Sequence, residues 1–312
     1  MARRRRGSAP VKRLTLEAFA KVNRSLRVLG KRSDGYHELD TIFQTVDLSD
    51  RLDFLEGESG DGEVSLTIEG LSLPVTEENL ILRAARALAK RTGTRRGARI
   101  HLSKKIPIGG GLGGGSSNAA STLLGLSALW NLNLLHADLA ALAASLGSDV
   151  PFFLVGGRAR GTGRGEILEP LPDGPQEWLV LVFPGFSIST AMVYGVLRAS
   201  ALTDSTVATN LRGSDSGGGP DRNDLEPAAE SLRGELLRFR AALSDSGAMS
   251  ARLSGSGSTV FGLFEDEESA RRAIERLAGL REETRTAMTI VKTVSRAEFA
   301  RRARPLPGAR RG

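Results

Sequence analysis

One segment constrains the fold more than any other: between Pro107 and Ser117, six glycines occupy the seven positions from 109 to 115. The pattern of apolar residues predicts a strand over Ala98–Leu102 before this segment and a helix of about Ser117–Trp130 after it. Because glycine lacks Cβ, its backbone can take positive φ, and successive N–H groups can point into one concavity. The N-terminus of the following helix adds positive potential. The segment therefore predicts a loop that holds an anionic group such as a phosphate.

A flexible linker is the alternative interpretation of the glycines, but a linker does not usually join a short strand directly to an apolar helix. The loop lacks the Gly-Lys-Ser/Thr ending of a Walker A motif. It also differs from the dinucleotide-binding fingerprint, because no acidic residue about 20 positions further on closes a second strand. Ser116 and Ser117 can cap the helix or reach a phosphate or a metal ion.

The net charge of +7 comes from the two ends of the chain. Without the eleven basic residues of segments 1–13 and 301–312, the remainder holds 32 basic and 36 acidic residues. A nucleic-acid-binding domain carries its positive charge on a folded face, so we expect no nucleic-acid partner and two solvated tails. The longest strongly apolar run, Trp178–Phe183, is too short for a membrane span. No apolar segment follows the basic start, which indicates a cytoplasmic protein. The chain has no cysteine, which excludes disulfides and thiolate metal sites.

The 312 residues suffice for two medium domains, and strands and helices alternate irregularly, which indicates the α+β class. A helix is predicted over Thr76–Arg91 with Thr76 as its cap, and another begins at the cap Asp266. The Gly- and Arg-rich stretch Gly156–Glu166 is interpreted as a turn or hinge, and residues 203–222 as a long mobile loop. The expected division is a disordered basic tail over 1–13, an N-terminal domain with the phosphate loop over 14–165, a C-terminal domain over 166–298 and a basic tail over 299–312.

The run P-I-G-G-G-L-G-G-G-S-S-N-A resembles the phosphate-binding motif of the GHMP kinases, which include galactokinase, homoserine kinase, mevalonate kinase and phosphomevalonate kinase. Within that superfamily the resemblance is strongest to the branch that acts on 4-diphosphocytidyl-2-C-methyl-D-erythritol. Four further segments occur in the matching order, and together they cover roughly residues 14–295: Ala18–Asn23, Lys31–Leu39, Gly147–Phe153 and Leu253–Phe261. The resemblance implies a ribosomal protein S5-like N-terminal domain, a ferredoxin-like C-terminal domain and an active site in the cleft between them.

The resemblance implies two catalytic residues for transfer of the γ-phosphate of ATP to an alcohol, here the 2-hydroxyl of the cytidyl acceptor in the non-mevalonate isoprenoid pathway. The hydroxyl must lose a proton, and Asp149, in the segment that resembles the catalytic-aspartate motif, is the candidate general base. Lys21 matches the lysine of the first motif. An ammonium there would keep Asp149 ionised and stabilise the forming alkoxide and the moving phosphoryl group. Without the resemblance, each residue has a purely structural alternative: Asp149 could cap a turn before Pro151, and Lys21 could be a solvated strand residue.

Most of the remaining expected contacts follow from the resemblance, whereas Asn23 follows from strand alternation and Mg²⁺ from the needs of ATP. For the acceptor, Tyr36 is expected to stack on the cytosine, His37 to bond its edge and Tyr194 to supply a second aromatic face. Asn23 shares a strand face with Lys21 and could bond the hydroxyls of the acceptor. Mg²⁺ is expected with ATP, held mostly by phosphates and water. Thr190 is also expected to contact the substrate. Three residues are expected to close the phosphate site from the far side: Gly255, Ser256 and Gly257. The expected ATP-binding residues are those of the glycine loop: Pro107, Ile108, Gly109, Gly110, Gly111, Leu112, Gly113, Gly114, Gly115, Ser116 and Ser117.

Three alternatives stay open at this point. Another GHMP kinase, acting on homoserine or mevalonate, would not account for the segment Asp34–His37. An RNA-binding module is suggested by the likeness of the N-terminal fold to a ribosomal protein and by the basic tails, but the mildly acidic remainder of the chain argues against it. A nucleotide-binding regulator without activity would leave Lys21 and Asp149 without a role.

Overall fold

The computed structural model describes residues 13–59, 62–71, 76–197 and 222–305. The loop predicted over 203–222 lies outside these residues apart from Arg222, as do residues 1–12 and 306–312 of the predicted tails. The described elements are, in chain order, β1 Arg13–Lys31, β2 His37–Ser59, β3 Val64–Gly70, α1 Leu80–Thr92, β4 Arg96–Lys104, α2 Gly114–Leu129, α3 His136–Leu146, α4 Phe152–Val155, β5 Arg158–Gly163, β6 Ile167–Pro170, β7 Trp178–Phe183, α5 Thr190–Val196, α6 Glu226–Leu232, α7 Glu235–Asp245, β8 Ser250–Leu253, β9 Val260–Phe264, α8 Glu267–Arg276, α9 Ala278–Thr284, β10 Ala287–Lys292 and α10 Arg296–Ala303.

Six of the described strands form the N-terminal sheet, which is built around β2. Strand β1 pairs along one edge of β2, while β5 and β4 pair with the first and second halves of its other edge. Strand β6 extends the sheet beyond β5, and β3 runs parallel to β4. Pairing of β1 with β2 is interrupted after Phe19, after Asn23 and after Val28. Lys21 and Asn23 therefore lie on one face of β1 between two irregularities, which bend a strand and re-aim its side chains.

Four described strands form the C-terminal sheet in the order β10-β7-β9-β8, and all neighbours are antiparallel. Helices α5 to α7 join β7 to β8, and α8 and α9 join β9 to β10. This sequence of strands and helices, with its strand order, is the ferredoxin-like arrangement that was predicted. The α+β class and the two-domain architecture are confirmed.

The cores of the two sheets meet in a third cluster of buried apolar residues that belongs to both. Ala20 and Val22 of β1 and Leu112 of the glycine loop pack there with Leu181 of β7 and Phe261 of β9. An isolated bridge between Val46 and Thr293 also joins the sheets. Because this cluster lies directly behind Lys21 and the glycine loop, packing of the two domains on each other fixes the floor of the cleft.

The interpretation of Gly156–Glu166 as a turn or hinge was wrong, because residues 158–163 form β5 and pair with both β2 and β6. Gly161 allows this pairing, since a Cβ there would lie 2.6 Å from the Phe43 ring. The N-terminal sheet continues through Pro170, five residues beyond the predicted domain boundary at 165. Helix α1 is capped by the Asn79 side chain rather than by the predicted Thr76. Asp266 caps α8 as predicted, accepting a hydrogen bond from Ser269 N at 2.7 Å.

Part of the predicted C-terminal tail is also ordered, since residues 299–303 belong to α10. Phe299 and Ala303 are buried against Phe19 and Val294, and Arg302 pairs with Glu17 of β1. Two apolar side chains four residues apart suffice to seat this short basic helix. Within the described part of the chain, no helix has both the length and the apolar character that spanning a membrane requires.

Candidate active site

The glycine loop runs from β4 to α2, and three of its glycines have backbone angles that favour glycine. The φ angles of Gly109, Gly111 and Gly113 are 69°, 75° and 70°. Gly113 is the N-cap of α2, so the helix begins at Gly114, three residues before the predicted start at Ser117. Positive φ at alternating positions lets the chain turn repeatedly between β4 and the start of α2.

Residues of the C-terminal domain hold this loop from the other side of the cleft. Thr259 N donates to Gly110 O at 3.1 Å, and Ser254 Oγ donates to Gly111 O at 3.0 Å. A Cβ on Gly111 would lie 2.1 Å from the carbonyl oxygen of Ser254, so no side chain fits there. The second Ser/Gly segment, residues 254–259, is therefore packed directly against the first.

Gly255, Ser256 and Gly257 lie in this second segment. A Cβ on Gly255 would be 3.2 Å from Asn23 Oδ1 and 3.6 Å from Lys21 Nζ. The hydroxyl of Ser256 lies 2.8 Å from that of Thr190, at the start of α5. The segment thus reaches from the glycine loop to the side chains of β1 and to α5.

Lys21 is the charged centre of the cleft. Its Nζ lies 3.4 Å from Asp149 Oδ2 and donates to Asn23 Oδ1 at 2.5 Å. Its backbone N–H donates to Leu112 O at 3.0 Å, which ties β1 to the glycine loop. Lys21 is only 3% exposed, whereas a third of the Asp149 side chain is accessible. The pair therefore has a buried cation and a carboxylate open to the cleft.

Asn23 is oriented by a chain of hydrogen bonds. Its Nδ2 donates to Thr41 Oγ1 at 2.8 Å, and Thr41 Oγ1 donates to Ser25 O at 2.6 Å. These bonds leave the amide oxygen of Asn23 directed at Lys21 Nζ. The predicted common face of Lys21 and Asn23 is confirmed.

His37 and Tyr194, both predicted to contact the acceptor, stack on each other, with ring centroids 4.6 Å apart and an angle of 22° between the planes. Burial raises the pKa of Tyr194 to about 12, and the negative charge of Asp149 adds to the shift. Burial also lowers the pKa of His37, with a smaller contribution from the charge of Lys31. Burial thus favours the uncharged form of both rings.

Tyr36, the residue before His37, is far more accessible, and 54% of it is exposed. The guanidinium of Arg164 covers its ring, 4.8 Å from the centroid. Arg164 was not among the predicted site residues, because it lies in the stretch that was interpreted as a hinge. Of the predicted loop residues, Ile108 is largely exposed and Ser117 is buried.

A buried carboxylate that the sequence analysis did not single out supports the glycine loop from below. Asp50 is fully buried and accepts hydrogen bonds from Lys105 N at 2.7 Å and Ile106 N at 2.8 Å. Its other oxygen accepts from Lys104 Nζ at 2.6 Å and Asn118 Nδ2 at 2.9 Å. Burial lowers the pKa of Lys104, and the charge of Asp50 opposes that shift. Two features of the sequence could have indicated this contact: an aspartate inside a strand, and two lysines just before the glycine loop.

The described residues offer no ready cage for a metal ion. Among them, no group of three or more His, Asp or Glu side chains is placed to bind one. The groups at the cleft are instead hydroxyl groups, backbone N–H groups and the carboxylate of Asp149. The N–H groups suit phosphate oxygens, and the oxygen atoms suit a Mg²⁺ ion that is bound mainly by phosphates and water.

Comparison with known proteins agrees with this geometry. The description "GHMP kinases N terminal domain" matches residues 79–157, and "GHMP kinases C terminal" matches residues 208–280. A relative from Moorella thermoacetica, named 4-diphosphocytidyl-2-C-methyl-D-erythritol kinase, is 44% identical over 286 residues, covering 89% of this chain and 99% of its own.

Two solved structures complete the comparison. The crystal structure of a 4-(cytidine 5'-diphospho)-2C-methyl-D-erythritol kinase has a TM-score of 0.73 and 41% identity, covering 89% of this chain and 99% of its own. A homoserine kinase from Cytophaga hutchinsonii has a TM-score of 0.71, but its identity of 19% shows only a common fold; the match covers 92% of this chain and 96% of its own. From the motifs, the two-domain architecture and these similarities it follows that the chain belongs to the 4-diphosphocytidyl-2-C-methyl-D-erythritol kinases, a family of GHMP kinases.

Proposed function

We propose that this kinase transfers the γ-phosphate of ATP to the 2-hydroxyl of 4-diphosphocytidyl-2-C-methyl-D-erythritol, as a step of the non-mevalonate isoprenoid pathway. The observation that carries the proposal is the pair of Lys21 and Asp149, 3.4 Å apart beside the glycine loop. The name and 44% identity of the Moorella thermoacetica relative support the choice of acceptor.

In the proposed mechanism, Asp149 is the general base. Its carboxylate takes the proton of the acceptor hydroxyl while the oxygen attacks the γ-phosphorus, and ADP leaves with the bridging oxygen. The accessible carboxylate suits this role, because an acceptor can reach it from the cleft. Lys21 Nζ is held by Asn23, so its charge is fixed where the alkoxide and the transferred phosphoryl group develop negative charge.

The phosphates of ATP are proposed to lie in the glycine loop, against the N-terminus of α2. The loop residues 107–117 would supply backbone N–H groups, and Gly255, Ser256 and Gly257 would close the site from the C-terminal domain. Mg²⁺ is proposed to enter with ATP, bound by phosphate oxygens and water.

The acceptor is proposed to lie across β1, the start of β2 and α5. Tyr36, His37 and Tyr194 supply aromatic and hydrogen-bonding surface for the cytosine, and Asn23 and Thr190 supply polar contacts. The stacking of His37 on Tyr194 supports this assignment, because it brings two of these residues together from distant parts of the chain. A cytoplasmic location, without a membrane or nucleic-acid partner, stays a prediction.

The test is an ADP-release assay with the purified protein, ATP and a panel of alcohols that includes the cytidyl acceptor, homoserine and mevalonate. Turnover of the cytidyl acceptor, with phosphorus NMR locating the new phosphate on the 2-hydroxyl, is the expected result. Turnover of homoserine or mevalonate without that of the cytidyl acceptor would exclude the proposal. The same panel tests the two remaining alternatives, since neither an RNA-binding module nor an inactive regulator releases ADP with any alcohol.

A further inference from the structure

Two turns of the N-terminal sheet meet beside Tyr36. One is the turn between β1 and β2, and the other is the turn between β5 and β6. Glu38 joins them, because its Oε1 accepts from Gly163 N at 3.1 Å and its Oε2 accepts from Arg32 Nη1 at 2.5 Å. The β5–β6 turn is thus attached to the segment that carries the predicted acceptor-binding residues.

Arg164 lies at the tip of the β5–β6 turn, and Glu166 anchors it. The two oxygens of Glu166 accept from Arg164 N at 2.6 Å and from Arg164 Nε at 3.3 Å. These bonds help to hold the guanidinium over the ring of Tyr36, with Cζ 4.8 Å from the ring centroid. A planar guanidinium can stack on an aromatic face in a way that a lysine ammonium cannot.

The backbone of Tyr36 is fixed, whereas its side chain projects into solvent. Tyr36 N donates to Asp34 Oδ1 at 3.1 Å, and Tyr36 O accepts from Arg32 N at 2.8 Å. More than half of the residue is exposed, so packing in a core does not hold the ring. Arg164 covers the ring from one side, and the remaining exposed surface of Tyr36 leaves room for a second planar group.

We infer that Arg164 is a positioning residue for the acceptor: it holds the Tyr36 ring by one face so that the other can stack on the cytosine. This inference rests on the proposed function, in which Tyr36 contacts the base. Binding orders rotatable side chains at an entropic cost, and a ring already held by a cation loses less freedom when the base arrives. Arg164 therefore acts through Tyr36 and not on the reacting atoms.

The test is a double-mutant cycle in steady-state assays of the full-length protein. Because cation–π contacts at exposed sites are weak, Arg164→Met is expected to raise KM for the cytidyl acceptor about two- to fivefold. KM for ATP and kcat are expected to stay as in the wild type. In a Tyr36→Leu background, the same substitution is expected to have no further effect, because the residue through which Arg164 acts is gone.

Two results would overturn the inference. One is an unchanged acceptor KM in Arg164→Met. The other is the same increase in the Tyr36→Leu background, which would mean that Arg164 contacts the acceptor itself, for example its diphosphate. Arg164→Lys keeps the charge but loses the planar stacking group, and it should raise the acceptor KM as well. If the wild type does not turn over the cytidyl acceptor, the proposed function fails; if it does and the cycle is additive, only this inference fails.

A matched control is Arg238→Met, which removes one positive charge from an exposed ion pair with Glu283 on α7 and α9. It should leave both KM values unchanged. Thermal melts of all variants show whether an altered KM reflects loss of folded protein.

Discussion

Lys21 is a buried ammonium, and its neighbours explain how the charge is tolerated. An unpaired buried charge is costly, whereas one with good hydrogen bonds and a counter-ion can be kept. Lys21 has Asn23 as a hydrogen-bond acceptor, Asp149 as a counter-ion and the face of Phe43 with its centroid 5.5 Å away. Asn23 lies on the same strand as Lys21, whereas Phe43 is on β2 and Asp149 lies between α3 and α4. The position of this one atom therefore depends on how these parts of the N-terminal domain pack together.

Asp149→Asn tests the proposed base at the same scale. An amide keeps the shape of the carboxylate but cannot accept the proton, so kcat is expected to fall about 100-fold or more, with KM for ATP largely kept. Steady-state kinetics with the cytidyl acceptor measures both. The matched control is Asp138→Asn. Asp138 lies on α3 and pairs with Arg91 of α1, so this variant should leave kcat unchanged. Near-normal turnover in Asp149→Asn would remove this residue from the role.

His37 gives a prediction about pH. Its pKa is lowered from the ordinary value of 6.5, chiefly by burial. Below pH 6.5 the unfolded chain therefore binds more protons than the folded one, and the free energy of unfolding contributed by His37 decreases as the pH falls through this range. The decrease ends below the pKa of the folded state. NMR titration of the ring and urea unfolding of the wild type and His37→Gln at several pH values measure it; a pKa at or above 6.5 would contradict it.

At the scale of the element, the glycine loop is held in place because both domains contact its backbone. Asp50 and Lys104 hold its start, the segment 254–259 holds its middle, and α2 begins at its end. Crowding, and not only the need for positive φ, excludes side chains from most of it. The backbone of Ser254 blocks a Cβ at Gly111, and neighbouring side chains block one at Gly109, Gly110, Gly113 and Gly114. These contacts on both sides hold the loop in one shape, as its proposed role as a phosphate site requires.

Gly111→Ala should disrupt this element. The φ of 75° is unfavourable for alanine, and the new Cβ would lie 2.1 Å from Ser254 O. Strain of this kind costs about 1–3 kcal/mol before the clash is added, so the melting temperature should fall and KM for ATP should rise. The comparison is Gly115→Ala at the start of α2, where the Cβ would lie 3.4 Å from Leu80 Cδ1, an ordinary contact. Equal melting temperatures for the two variants would contradict this expectation, because they would show that the loop can change its backbone conformation at Gly111 without loss of stability.

At the scale of the molecule, the two sheets behave as parts of one structure. Apolar residues of both fill the cluster behind the cleft, and α10 follows the last strand of the C-terminal sheet but packs on β1 of the N-terminal sheet. The chain thus returns to the domain in which it began. Because the residues of the cleft come from both sheets, this connection helps to keep their relative positions fixed.

Phe299→Ala measures the contribution of α10. Phe299 is fully buried against Phe19, with ring centroids 5.7 Å apart. Removing such a ring from a packed cluster costs about 3–5 kcal/mol of unfolding free energy. Urea denaturation should show this loss, whereas Leu135→Ala, at a side chain that is 73% exposed, should change stability by under about 0.5 kcal/mol. A loss that small for Phe299→Ala would mean that α10 is not needed for the fold.

The amino-acid sequence by itself determined the features that depend on neighbours along the chain. The six glycines between a strand and a helix, the apolar run of β7 and the cap of α8 by Asp266 each produce a local structure, and the order of the five motifs indicated the family. Local patterns mislead where tertiary packing decides. The glycines of β5 have the composition of a hinge, yet they form a strand because Phe43 packs over Gly161. The basic stretch after residue 299 has the composition of a tail, yet two apolar residues anchor it as a helix.

Only the tertiary structure decided which distant residues meet. Lys21 with Asp149, His37 with Tyr194, and Asp50 with Lys104 each join segments far apart in the chain. No local pattern encodes these distances, because they follow from the pairing of long strands and from the packing of one domain on the other. Burial then changes the chemistry of two of these residues: the pKa values of His37 and Lys104 are lowered, chiefly because the protonated forms have lost water. The physical reason is that the chain specifies its elements through short-range contacts, while charge and distance in the cleft are properties of the assembled core.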